Sequence, residues 1–171
     1  KNHSFFIDIM KDVIEEIPIA KGWIIGQPVD DEPNVQIELR NQIRTHHLEG
    51  KVSLLGFQSN IKKLLKKCSI LVMTSRSEGM PNVVLEAMSI GIPIVSSNVG
   101  GLSQLIYHGK NGFLCNIKNK NEFTDAIKLL LTQIHINRKL GANGKKFTMA
   151  LHCPNETVNR FNAFYYDLLG I

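Results

Sequence analysis

The sequence predicts an α/β fold in which helices cover both faces of a parallel β-sheet. Short apolar runs of strand length alternate along the chain with segments whose apolar residues recur at helical spacing. Gly, Pro and Asn separate many of these segments, as is typical of turns. Repeated alternation of this kind predicts parallel strands joined through helices. With 171 residues, 43% of them hydrophobic and 20% charged, the chain is expected to form one globular domain spanning residues 1–171.

The first half of the chain contains three helix-like and three strand-like segments. Apolar residues between positions 5 and 13 recur at helical spacing, and residues 22–26 predict a short buried strand. Val35, Leu39 and Ile43 lie four residues apart, which predicts a helix over residues 35–47. A strand, a short helix and a strand are then expected at residues 52–55, 61–67 and 69–73.

The second half continues the alternation and ends in helices. Val83, Val84, Ala87 and Met88 recur at helical spacing, and residues 93–97 predict the next strand. Gly100-Gly101 is expected to open a helix, either as a tight turn or as part of an anion site. The turn dipeptide Asn111-Gly112 precedes a short strand at residues 113–115. Helices are then predicted over residues 121–132, 136–150 and 155–169.

The loop after the strand at residues 69–73 carries the strongest local signal. Gly79 accepts backbone angles barred to other residues, and Pro81 suits the first turn of a helix. A helix is therefore expected to begin near Pro81 or Asn82. Its first N–H groups, at Asn82, Val83 and Val84, have no intrahelical acceptors and lie at the positive end of the helix dipole. The turn is therefore expected to suit a diphosphate.

Two carboxylates flank this turn. Glu86 lies four residues beyond Asn82 on the same flank of the helix, and Glu78 lies on the loop. An ionised carboxylate only accepts hydrogen bonds, so its natural complement is a diol, such as the hydroxyls of a ribose or of another sugar. Ligands of open α/β sheets bind beyond the carboxyl ends of the strands, where this pair is expected. The interpretation requires both acids to face one shared hollow; the alternative is two solvated surface acids.

Glu78 and Glu86 are separated by seven residues and followed by Ala87-Met88 and the segment at residues 91–95, GIPIV. This pattern resembles the retaining glycosyltransferases of family four, the group one transferases with the GT-B architecture of two facing Rossmann-like domains. Residues 51–57, Gly100-Gly101 and residues 111–114 also resemble that family, so the similarity covers nearly the whole chain. The resemblance implies that the fold is one Rossmann-like half of a GT-B enzyme.

The resemblance also implies a role for each residue of the site. Glu86 would hold the nucleotide ribose, and Glu78, the candidate catalytic residue, would hold hydroxyls of the donor sugar. The backbone around Phe57 and Gln58 would face the base. Lys1, which precedes Asn2 where the family usually has a Lys-Gly pair, would meet the diphosphate. The other implied donor-binding residues are Arg76 and the backbone of Gly79, Met80, Pro81, Asn82 and Val83.

At the level of function, the resemblance implies sugar transfer from a UDP-type or GDP-type donor to a hydroxyl acceptor, with retention, in cell-envelope glycan or glycolipid synthesis. Neither a metal nor a cofactor is expected, and the chain contains no Asp-x-Asp sequence. Compared with the family, the chain would lack the first strand of this half and the whole N-terminal, acceptor-binding half. The chain alone is therefore expected to transfer nothing. The alternatives are a sugar-nucleotide epimerase of similar build and a non-catalytic nucleotide-sugar-binding module.

The charge of the chain permits anionic partners without identifying one. The net charge is +5, and no nucleic-acid-binding signature occurs in the sequence. Lys62, Lys63, Lys66 and Lys67 predict one basic helix face, for which solvent, anionic lipid and the nucleotide are alternative partners. No apolar run approaches the roughly 20 residues that span a bilayer. We expect a cytoplasmic protein, and association of the full enzyme with the inner membrane face is left open.

Overall fold

The computed structural model describes residues 1–27 and 34–151, together with residues 158 and 166. The helices of this part are α1 (His3–Glu16), α2 (Val35–Thr45), α3 (Ile61–Leu65), α4 (Asn82–Ser89), α5 (Leu102–Leu105), α6 (Lys120–Thr132) and α7 (Ile134–Leu151). The strands are β1 (Gly22–Ile25), β2 (Val52–Gly56), β3 (Leu71–Met73), β4 (Ile94–Ser97) and β5 (Gly112–Cys115). Each of the elements predicted between residues 22 and 150 lies within two residues of its expected bounds. The helix predicted at residues 155–169 falls outside the continuously described ranges.

The strands pair in parallel, as predicted, but they form two sheets. β1 pairs with β2 in one sheet, and β3, β4 and β5 pair in that order in the other. The registers place Gly22 opposite Val52 in the first sheet, and Ile94 between Leu71 and Gly112 in the second. Among the described strands, β1, β2, β3 and β5 therefore each lack a neighbouring strand on one edge.

Helices cover both faces of the larger sheet. Val95 on β4 packs into a hydrophobic cluster with α1 and α6, whereas its neighbour Ile94 packs into a second cluster with α4 and α5. Consecutive side chains of a strand point to opposite faces, so these two clusters lie on opposite sides of the sheet. Phe123 of α6 is fully buried in the first cluster, and Met88 of α4 is fully buried in the second. The predicted helix–sheet–helix layering is confirmed.

The basic cluster differs from the predicted helix face. The helix α3 ends at Leu65, so Lys66 caps it and Lys67 lies in the following turn. Lys62, Lys63, Lys66 and Lys67 are all exposed. Within residues 1–27 and 34–151, none of the helices has the length and apolar character that crossing a bilayer requires.

Candidate functional site

The helix α4 begins where the sequence predicts. Pro81 is its N-cap, with φ −73° and ψ 118°, and Asn82 is its first residue. The N–H of Val84 donates to the Pro81 carbonyl oxygen at 3.0 Å, so the expectation that three N–H groups stay free is wrong for Val84. The tight turn at the start of the helix uses that donor. Among the hydrogen bonds of the described residues, the N–H groups of Asn82 and Val83 have no acceptor, and these two remain suited to an anion.

Glu78 is held from two sides at the start of this loop. Its side chain is only 9% exposed, and its Oε1 accepts hydrogen bonds from Lys1 Nζ and from Ser75 Oγ, each at 2.5 Å. Burial alone would raise the pKa of this carboxyl, but the hydrogen bonds from Lys1 and Ser75, with the charge of Lys1, lower the pKa below its ordinary value. Glu78 is therefore ionised at neutral pH and acts as an acceptor.

The loop after β4 fixes the backbone of Glu78. The Gly101 N–H donates to the Glu78 carbonyl oxygen at 3.2 Å. A Cβ on Gly100, which has φ +53°, would lie 1.8 Å from that same oxygen, and a Cβ on Gly101 would lie 2.2 Å from the Gly79 oxygen. Only glycine permits this approach. Both glycines thus hold the loop of Glu78 in place, as a tight turn between β4 and α5.

Glu86 lies on the exposed flank of α4 and lines a cleft of about 440 Å³. The other lining residues are Ser59, Asn60, Ile61, Lys62 and Ser89. The cleft thus joins the α4 flank to the segment that follows β2 and opens α3. It combines a carboxylate acceptor, hydroxyl and amide groups and one lysine, which are groups that bind a polyhydroxylated anion.

Glu78 is not among the residues that line this cleft, so within the described residues the two acids do not share this particular hollow. Glu86 is one helical turn into α4 and faces outward towards the segment after β2. Glu78 precedes the helix, and its carboxylate turns towards Ser75 and Lys1 instead. The helix N-terminus at Asn82 lies between the two acids in sequence.

The remaining predicted residues lie on the segment after β2 and on the loop before α4. Phe57 is 71% exposed directly after β2, and the Gln58 side chain donates to the Leu55 carbonyl oxygen at 2.8 Å. Arg76 and Met80 are exposed on the loop before α4. Phe57 and Gln58 immediately precede the cleft-lining Ser59.

Sequence reasoning missed Ser59, Asn60, Ile61 and Ser89 of the cleft, whereas Lys62 belonged to the basic cluster for which the nucleotide was one alternative partner. A signal for the first group exists, because Asn60 is a typical helix N-cap and its side chain accepts from the Lys63 N–H at 3.0 Å. Ser89 lies three residues after Glu86 and so falls on the same helix flank. Ser75 and Ser97, which are buried near Glu78, were missed as well.

The start of the chain lies at the carboxyl end of β3. Thr74 Oγ1 donates to the carbonyl oxygens of Asn2 and Lys1, at 3.1 and 3.3 Å. Asn2 adopts the left-handed conformation, with φ 61° and ψ 46°, which glycine favours and asparagine tolerates. Asn2 therefore fits a position at which the resembled family has glycine.

These features define a Rossmann-like α/β domain whose candidate ligand-binding groups lie beside the carboxyl ends of its strands. The model of the family "Glycosyl transferases group 1" matches residues 1–147. The chain belongs to this family of glycosyltransferases, and the predicted fold, one Rossmann-like half of the GT-B architecture, is confirmed.

Individual relatives agree with this assignment. The chain is similar to N-acetyl-alpha-D-glucosaminyl L-malate synthase of Bacillus anthracis, with 29% identity over 74% of this chain and 33% of the relative. It is similar to the UDP-Gal:alpha-D-GlcNAc-diphosphoundecaprenol alpha-1,3-galactosyltransferase of Escherichia coli, with 29% identity over 95% of this chain and 39% of the relative. A crystal structure of Anabaena HepE in complex with UDP-glucose matches with a TM-score of 0.81 and 26% identity, over 88% of this chain and 41% of that one. The chain thus spans less than half the length of these relatives.

Proposed function

We propose that the chain is the donor-binding half of a retaining glycosyltransferase, which moves a sugar from a UDP-type or GDP-type carrier to a hydroxyl acceptor. The observation that carries the proposal is the cleft in which Glu86 faces Ser59, Asn60 and Lys62. The UDP-glucose bound to the Anabaena relative supports a donor of this chemical class. In the proposal no metal and no cofactor takes part, because helix N–H groups and basic side chains neutralise the diphosphate.

Each part of the donor is assigned to one part of the site. Glu86 accepts hydrogen bonds from the ribose, and the segment after Phe57 and Gln58 faces the base. The diphosphate lies at the N-terminus of α4, where the Asn82 and Val83 N–H groups lack acceptors. Lys1 and Arg76 supply positive charge, and Glu78 accepts from hydroxyls of the sugar. This assignment follows the positions of the groups along the loop from β3 to α4.

We propose further that the complete protein adds one strand before Lys1 and an N-terminal half with the acceptor site. The unpaired edges of β1 and β3 support the added strand, since Lys1 and Asn2 bond to Thr74 at the carboxyl end of β3, where a parallel strand next to β3 would also end. Closure of two halves would align acceptor and donor and exclude water. In this proposal residues 1–171 alone bind the donor and transfer nothing; sugar transfer by the isolated chain in a turnover assay would contradict it.

The proposed cellular role is based on the name of one relative. The Escherichia coli relative bears the name of an enzyme that acts on a diphosphoundecaprenol-linked sugar. A role in cell-envelope glycan or glycolipid synthesis, at or near the inner face of the membrane, agrees with that name and with the exposed lysines around α3.

The test of donor binding is ligand-observed NMR with UDP, GDP and ADP on the wild type and on Glu86→Ala. Removing a charge-assisted acceptor is expected to cost about 2 kcal/mol, a roughly thirtyfold loss of nucleotide affinity. Glu49→Ala is the matched control, because Glu49 is an exposed glutamate in the turn before β2 and does not line the cleft. Nucleotide binding that survives Glu86→Ala unchanged would exclude the ribose contact, and binding lost equally in Glu49→Ala would exclude the cleft.

A further inference from the structure

We propose that Ser75 and Ser97 are positioning residues for Glu78, and that the two oxygens of its carboxylate have separate tasks. Oε1 is anchored by the protein, and Oε2 is presented to hydroxyl groups of the donor sugar. The inference rests on the proposed function, because it assigns the sugar contact to one oxygen of Glu78. It gives a role to Ser75 and Ser97, which neither the sequence pattern nor the lining of the cleft indicates.

Two hydrogen bonds hold the Oε1 atom of Glu78 in place. Ser75 Oγ and Lys1 Nζ both donate to Oε1, each at 2.5 Å. Among the hydrogen bonds of the described residues, none reaches Oε2. A carboxylate oxygen has two acceptor positions, so two donors fill Oε1 and leave the acceptor capacity of Oε2 for another partner.

Ser97 fixes Ser75 in turn. Ser97, the last residue of β4, is fully buried, and its hydroxyl donates to the Ser75 carbonyl oxygen at 2.6 Å. Ser75 is itself buried just beyond β3. Each hydroxyl carries one proton, and each proton has one partner here, so the direction of both bonds is set. A chain of two hydrogen bonds therefore runs from the rigid central strand of the larger sheet to the Glu78 carboxylate.

The backbone of Glu78 is fixed independently. The Gly101 N–H bonds to the Glu78 carbonyl oxygen, and Gly100 packs against the same atom too closely for any side chain. The residue is therefore held at both its backbone and its carboxylate. An acceptor that is already oriented loses little conformational freedom when a ligand binds, which favours recognition of one arrangement of sugar hydroxyls.

The experiment removes one serine hydroxyl at a time and reads Glu78 directly. In Ser75→Ala, a carbon-13 NMR titration of the Glu78 carboxyl is expected to show a pKa above the wild-type value, because one of the hydrogen bonds that lower it is lost. The affinity for UDP-glucose, or for GDP-mannose if GDP is the nucleotide that binds, is expected to fall roughly tenfold, with binding of the bare nucleotide unchanged. Ser97→Ala should move both quantities in the same direction by less.

Two further variants separate positioning from a general loss of structure. Ser75→Thr keeps a hydroxyl and should restore the wild-type pKa and affinity. Thr132→Ala removes an exposed hydroxyl in α6 that bonds to the Lys128 carbonyl oxygen at 2.8 Å, away from the Glu78 loop, and it should change neither quantity. If Ser75→Ala does not fold, Ser97→Ala tests the proposal and Ser75→Thr is its control.

The possible failures are distinguishable. A Glu78 pKa that does not change in folded Ser75→Ala or Ser97→Ala overturns the anchoring, whatever the chain binds, because that measurement needs no ligand. A pKa that rises while the sugar-nucleotide affinity stays at the wild-type value overturns the presentation of Oε2 to the sugar. If Glu86→Ala left the affinity for bare nucleotides unchanged, the proposed function would be refuted. The positioning of Glu78 by Ser75 and Ser97 would not be affected by that result.

Discussion

Glu78 and Glu86 occupy one short segment of the chain, but the fold gives them different surroundings. Glu78 is 9% exposed and accepts two hydrogen bonds through Oε1. Glu86 is exposed on α4, and its carboxylate has no hydrogen bond or ion pair within the described residues. The Glu78 carboxylate is thus oriented by the protein itself, whereas the Glu86 carboxylate is exposed on the wall of the cleft.

Different kinds of interaction position the two acids. Glu86 is placed by local structure, since it follows from where α4 begins and how a helix turns. Glu78 is placed by residues distant in sequence: the side chain of Lys1 and the loop at Gly100-Gly101 both contact it. A change that disturbs long-range contacts should therefore affect Glu78 strongly and Glu86 weakly.

The largest effect is expected from Gly100→Ala. The added Cβ would lie 1.8 Å from the Glu78 carbonyl oxygen, in addition to the strain at φ +53°. We expect a loss of about 3 kcal/mol in the free energy of unfolding, measured by urea titration. The matched control is Gly109→Ala, which has φ +73° and nothing within 4 Å of the added carbon, and should cost about 1 kcal/mol. Equal costs at the two positions would mean that the contact with Glu78 contributes nothing.

The parts of the molecule that follow local rules could be predicted from the sequence. The alternation of apolar runs located the strands and helices, and Gly79 and Pro81 located the start of α4. Helical spacing placed Glu86 on the same flank of the helix as Asn82, and both residues are exposed. These features depend on backbone preferences and periodicity over a few residues, which a single sequence contains.

The parts that depend on packing between distant segments could not be predicted. Nothing in the spacing of Glu78 and Glu86 indicates that Ser75 and Lys1 would turn one acid away from the cleft. The bond from the Val84 N–H to Pro81 depends on the exact winding of the first turn. The split between β2–β1 and β3–β4–β5 depends on which strand edges meet, and periodicity does not encode that.

A second prediction concerns pH. The folded-state pKa of Glu78 lies below its ordinary value of 4.5, so the stability that its ionised form contributes is present above that value and is lost as the pH falls through the folded-state pKa. The difference in unfolding free energy between wild type and Glu78→Gln should therefore be constant near neutral pH and shrink below about pH 4.5. Urea titrations over a series of pH values measure it, and a difference that stays the same in acid would contradict the lowered pKa.

The smallest effect is expected for the ion pair itself. The Lys1 side chain is 59% exposed, and exposed ion pairs contribute at most about 1 kcal/mol and weaken with salt. A double-mutant cycle of Lys1→Ala and Glu78→Gln should give a small coupling energy that decreases further at high salt. Ser75→Ala paired with Glu78→Gln should give a larger coupling that salt leaves nearly unchanged, since Ser75 is buried. If the Lys1 coupling proved the larger and the more resistant to salt, Lys1 rather than Ser75 would hold Oε1. With Ser75 as the salt-resistant partner, the Glu78 carboxylate keeps its orientation even where salt weakens the ion pair with Lys1.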